Sequence, residues 1–92
     1  MTENVDGKSI DPSFQKQTEK LSNLKVGSQA VIVKITASGA LKSKILSMGF
    51  VKGEVVRVEK IAPLGSPIDV LVKNTHISLR KDEAEKVVVR VL

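Results

Sequence analysis

Ile68-Asp-Val-Leu-Val-Lys-Asn-Thr-His-Ile-Ser-Leu-Arg80 is the stretch that decides how this chain folds. Ile68, Val70 and Val72 alternate with Asp69, Leu71 and Lys73, the period of a strand with one buried face. Asn74-Thr75 breaks the run and Ile77 and Leu79 resume it, which predicts two strands joined by a tight turn. Asn74 tolerates the left-handed backbone such a turn demands.

Upstream, Gly53 opens Glu54-Val-Val-Arg-Val-Glu-Lys-Ile61, where Val56 and Val58 alternate with Arg57 and Glu59. Pro63, Gly65 and Pro67 then fix a loop, because two prolines around a glycine cannot continue a ladder. Earlier still, alternation from Ser28 predicts a strand with Val31, Val33 and Ile35 on one face with Gln29, and Ile32, Lys34 and Thr36 on the other. Ser38 offers an N-cap oxygen to a helix of about ten residues whose stripe is Leu41, Ile45 and Met48 and whose stop is Gly49. Leu21 and Leu24 before Gly27 suit a single helical turn. Downstream, Lys81 to Lys86 suits another, with Asp82 and Glu83 at its positive end, and Val87 to Leu92 closes the sheet.

The expected fold is therefore mainly β. It is a small, partly open barrel of about five strands, with one short helix after the first strand and a short helical turn before the last. Residues 1–20 have no sustained apolar period and read as a disordered tail, with a short peripheral helix over Phe14 to Leu21 as the alternative. The ordered domain spans residues 21–92.

Composition narrows the function classes. A length of 92 residues suits one domain, and Phe14 and Phe50 are the only aromatic residues. The absence of cysteine excludes disulfides, thiolate nucleophiles and Cys-ligated zinc. No apolar run approaches the length of a membrane span and no secretory pattern opens the chain, so a cytoplasmic protein is expected. Residues 1–20 hold four acids and three lysines, net −1, whereas residues 21–92 hold twelve basic and six acidic residues, net +6. The domain itself is basic, which suits nucleic acid, an anionic membrane surface or an acidic protein.

Catalysis finds little support. His76 is the only histidine, no nucleophile-elbow context surrounds it, and the glycines fit neither a Walker A nor a dinucleotide fingerprint. The expectation is a protein without a catalytic residue. His76 with Asp69, Asp82, Glu83 or Glu85 is a candidate divalent metal site, weighed against a histidine on a solvent face. Nucleic acid is not expected, because Phe50 alone cannot supply a stacking platform, and a proline-rich ligand lacks its aromatic groove. Lys42, Lys44 and Lys52 read either as phosphate contacts or as a solvated helix face.

Four blocks in order, Leu21-Ser-Asn-Leu-Lys-Val-Gly27, Leu46-Ser-Met-Gly-Phe-Val-Lys-Gly53, Ala62-Pro-Leu-Gly-Ser-Pro67 and Ile77-Ser-Leu-Arg-Lys-Asp-Glu-Ala84, resemble the FeoA family across residues 21–92. The resemblance implies an SH3-like barrel and a cytoplasmic accessory role in bacterial ferrous iron uptake, by docking on the cytosolic part of the FeoB transporter with its GTP-binding domain. It places the membrane only indirectly, through that transporter. Related domains end iron-dependent repressors, so an Fe2+-binding sensor is the alternative. No cofactor is required, with room for weakly bound Fe2+ or another divalent metal at His76. Structural motif positions are Gly27, Gly49, Gly53, Pro63, Gly65, Pro67, Leu79 and Arg80. The partner-binding set is Lys42, Lys44, Met48, Phe50, Lys52 and Leu64. Ser66 stands where the family often has an acid, which weakens a metal role for that loop.

Overall fold

Residues 18–92 are described by a computed structural model of the chain. Six strands form one antiparallel sheet: β1 (Thr18–Lys20), β2 (Gln29–Ile35), β3 (Val55–Ile61), β4 (Ile68–Val72), β5 (Thr75–Leu79) and β6 (Val87–Val91). Their order across the sheet is β1-β6-β2-β3-β4-β5. Helix α1 (Gly39–Ser47) joins β2 to β3, the short α2 (Lys81–Ala84) joins β5 to β6, and Leu21–Asn23 make one 3-10 turn.

The alternation holds through Val58 in β3 and along all of β4. Val56, Val58, Ile68, Val70 and Val72 all lie in the core, and Leu79 joins them from β5. The turn between β4 and β5 sits one residue earlier than expected, on Lys73 and Asn74, both with positive φ. That pair of left-handed residues matches the twist of a two-residue hairpin.

Strand β2 departs from its expected phase. Ala30 and Ile32 are the buried residues, while Val31 and Val33 are only half-buried. A register shift between Ile32 and Lys34 in the pairing with β6 then returns Ile35 to the inner side, opposite the buried Val87. One extra residue in a strand reverses every later side chain, so strict alternation through the bulge gives the wrong face. Strand β3 has a similar shift between Val58 and Lys60, which lands on Glu59.

The N-terminal boundary also moves. Thr18, Glu19 and Lys20, read as the end of a tail, pair with Arg90, Val89 and Val88. All three are exposed, so backbone pairing alone makes β1 a strand and no apolar alternation marks it. The alternative helix over Phe14 to Leu21 lies half outside the described residues, and its described half is this strand and the start of the 3-10 turn instead. The rest of residues 1–20 falls outside them too.

Helix α1 sits where expected, with Ile45 fully buried and Leu41 and Met48 packed against the core. Ser38 holds the N-cap position, but its hydroxyl makes no capping hydrogen bond. Gly49, at φ 103°, turns the chain out of the helix, a conformation costly for any residue with a Cβ. Phe50 follows directly and is wholly buried, the largest side chain of the core. Phe50 therefore cannot belong to a contact surface.

Phe50 and Leu64, paired in one expected surface, should separate on truncation. Phe50→Ala should lose about 3–5 kcal/mol in urea unfolding. Leu64→Ala, at a side chain 94% exposed, should stay within about 0.5 kcal/mol of the parent.

Candidate functional site

Helices α1 and α2 and the β3–β4 loop meet at one end of the barrel, and a buried carboxylate joins the helices. Glu83 is only 6% exposed, and its Oε2 accepts a hydrogen bond from the Lys44 ammonium at 2.6 Å. Its Oε1 accepts the backbone N–H of Arg80 at 2.9 Å, closing the N-terminus of α2 on itself. The Lys44 hydrogen bond first, then that of the Arg80 backbone, hold the Glu83 carboxyl below its ordinary value of 4.5, against the opposing effect of burial. At the next position, the Lys81 N–H donates to Ser66 Oγ at 3.1 Å. Ser66 thus ties the β3–β4 loop to α2.

This network fixes which expected contact residues can meet a partner. Lys42, Lys52 and Leu64 are exposed, and Leu64 stands at the tip of the tied loop. Lys44 is committed to Glu83 through its ammonium, so its first role is to hold α1 against α2. Met48 is half-buried against the core, and Phe50 is inside it. Leu46 was not anticipated: it is 38% exposed and shares a helical face with Lys42 at i, i+4 spacing. Arg80 occupies the N-cap of α2, in keeping with a structural reading. Gly27, Gly53 and Gly65 all have positive φ, and the Gly27 N–H donates to the Val58 carbonyl at 2.7 Å. Pro63 and Pro67 bracket the loop, the latter after a cis peptide bond from Ser66.

His76 lies elsewhere, on the outer face of β5. Its Nδ1 is 3.0 Å from Glu59 Oε1, with His76 77% exposed. Asp69, Lys60 and Ser78 border the same shallow depression. Of the acids proposed from sequence, only Asp69 comes near. Glu83 is taken by Lys44 and Arg80, and Asp82 and Glu85 line no part of this depression. Glu59 was missed, because it reaches His76 across β4 from the bulge in β3. No group of three or more His, Asp or Glu side chains among the described residues is arranged to hold a metal ion.

A curled antiparallel sheet with a helix over one end, joined to the four sequence blocks, identifies the family. The FeoA domain model matches residues 19–91. The chain belongs to the FeoA family. A fusion of Fe(2+) transport protein A with the Fe(2+) transporter FeoB from Porphyromonas gingivalis is 38% identical over 73 residues, 79% of this chain and 9% of that protein. This chain thus spans only a small part of that relative. The Fe(2+) transport protein A of Campylobacter jejuni, itself assigned by inference, is 32% identical over 72 residues, 78% of this chain and 97% of the relative. The zinc-complexed FeoA of Stenotrophomonas maltophilia, described as a prokaryotic SH3 domain protein, superposes with a TM-score of 0.67 at 38% identity, covering 75% of this chain and 86% of that one. The fold is SH3-like, and the family is one of small accessory proteins of ferrous iron transport. No helix among the described residues is long and apolar enough to cross a membrane.

The Glu83 clip has a definite pH signature. Because its folded-state pKa is lowered, its contribution is complete above the ordinary carboxylate value of 4.5 and is lost as pH falls through the lower folded value. Glu83→Gln should be less stable than the parent by about 1–2 kcal/mol at neutral pH, with the gap narrowing in acid. Urea unfolding at both pH values checks this, and a gap of constant size would assign the loss to packing instead.

Proposed function

We propose that this chain is a cytoplasmic accessory protein of ferrous iron uptake that docks on the cytosolic, GTP-binding part of a FeoB-type transporter. The contact surface is the end of the barrel formed by α1 and the β3–β4 loop. The observation that carries this reading is Leu64, an almost fully exposed leucine on a loop held to α2 by Ser66, beside a basic helix. An exposed large aliphatic residue on a positioned loop is suited to enter a partner pocket, with Lys42 and Lys52 as its charged surroundings. The fused relative supports the partner, because it carries a similar domain in one chain with the transporter. Nothing in this arrangement calls for a catalytic residue.

Titration of the transporter's cytosolic domain into isotope-labelled protein should shift the amide signals of Lys42, Leu46, Lys52 and Leu64. Lys42→Glu with Leu64→Ser should raise the Kd about tenfold or more, the scale of a lost anchor. Absence of shifts at saturating transporter domain defeats the docking reading.

The 3.0 Å contact of His76 with Glu59 favours a second reading, a weak divalent metal site. An imidazole nitrogen and a carboxylate oxygen at that separation fit one Fe2+ or Zn2+ ion as a chelating pair. Two protein donors leave most of the coordination to water, so affinity is low. The zinc complex of the Stenotrophomonas relative makes the question pertinent. Calorimetry with Fe(II), Mn(II) and Zn(II) should give heats that His76→Ala abolishes. Equal heats from both proteins would remove His76 from any metal role.

A further inference from the structure

The outer face of β1, β6, β2 and β3 gathers basic residues that no part of the docking surface uses. Lys20 and Lys34 both pair with Val88, from opposite sides. Arg90 pairs with Val31, and Arg57 with Gln29. All four basic residues are exposed, and none has a carboxylate partner among the described residues. Acids on the same strands are engaged elsewhere. Glu59 contacts His76, and Glu19, paired with the buried Val89, accepts a hydrogen bond from Asn23 at 3.2 Å. Glu54, just before β3, pairs with Lys73 at 3.6 Å. Four adjacent strands put these cations across about 14 Å of one sheet face.

We infer that this face binds an anionic phospholipid surface directly. Three properties favour lipid over other anionic partners. The face is the side of the sheet turned away from the core, and a depression on it, lined by Gln29, Glu54, Val55, Arg57 and Lys73, already holds a carboxylate paired to Lys73, which disfavours a small anion there, whereas headgroups in a fluid layer conform to the face as a whole. It has no anchor for a protein pocket: Val31 and Val88 are half-buried, and Val55 is the one well-exposed apolar side chain among them. Attraction to anionic lipid needs no anchor, since it grows with the number of lysines and arginines near the surface. Nucleic acid is disfavoured because the face carries no aromatic residue for stacking. The sequence placed the membrane only behind the transporter, but this face contacts it independently of docking, and the surface at the α1 end stays open to the transporter.

Co-sedimentation tests this with the full chain and vesicles of phosphatidylcholine alone or mixed with phosphatidylglycerol. The protein should pellet with the anionic vesicles and not the neutral ones, and high salt should release it. Lys34→Glu with Arg90→Glu should weaken pelleting by about tenfold or more. Should that pair fail to fold, Lys20→Gln with Lys34→Gln should still weaken it measurably. Equal binding to neutral vesicles, no binding to anionic vesicles at low salt, or wild-type pelleting by a folded variant overturns the inference. So does saturation of the Lys34 and Arg90 signals by soluble poly-glutamate when vesicles leave them unmoved, which would assign the face to an acidic protein. Failure of the docking reading is distinct: it appears in the lipid-free transporter titration, whatever the vesicles show.

Discussion

Everything in this fold depends on the last strand entering between the first two. Strand β6 pairs with β1 on one side and with β2 on the other. It brings Val87 and Val89 against Ala30 and Ile32, all buried. Without it, β1 has no partner and the inner side of β2 loses the layer that dries it. The ends of this pairing are pinned by backbone bonds across most of the sequence. The Thr36 N–H and hydroxyl both donate to the Lys86 carbonyl, at 2.7 and 3.2 Å, and the Leu92 N–H donates to Gln29 at 2.9 Å. Such non-local pairing carries the entropy cost of closing a long loop, whereas the β3–β4–β5 meander closes short ones.

The Glu83 clip is a consequence of that closure. Helix α2 leads directly into β6, so the entry of β6 fixes where α2 lies and carries Glu83 beneath α1. A carboxylate buried this deeply is tolerable only with its charge met, and Lys44 and the Arg80 N–H meet it. The same helix receives Ser66 from the β3–β4 loop. One short element therefore positions both parts of the proposed docking surface, and the loop that carries Leu64 is tied to the helix that leads into β6.

The sequence was most legible where strands run without interruption. Val56, Val58, Ile68, Val70 and Val72 needed only their period to be placed in the core. Strand β2 was misread because its bulge has no side-chain signature: Ile32-Val-Lys34 looks the same whether or not the phase slips. Strand β1 was invisible for a different reason, since Thr18-Glu-Lys20 has no apolar side chain to bury and joins the sheet by pairing its backbone with β6. In the candidate site, Leu46 and its i, i+4 neighbour Lys42 were within reach of a helical wheel. Glu59 beside His76 was not, because the contact spans two strand pairings and a bulge. Phe50 looked like a surface aromatic after a helix stop, yet in a core built otherwise of small aliphatic side chains it fills the largest single share of the space.

That burial also bears on the kind of partner this SH3-like barrel suits. A groove for proline-rich segments needs aromatic walls, and among the described residues the only aromatic side chain is inside the core. The docking proposed above would then draw its affinity from aliphatic contact and charge. Leu64 supplies the first on a loop tied to α2, and the exposed lysines supply the second. Rim charges of this kind act more on encounter rate and orientation than on the lifetime of a complex, and salt weakens them. A contact built this way is quick to form and quick to release. Under the docking proposed above, that balance suits reversible association with the transporter rather than a permanent subunit.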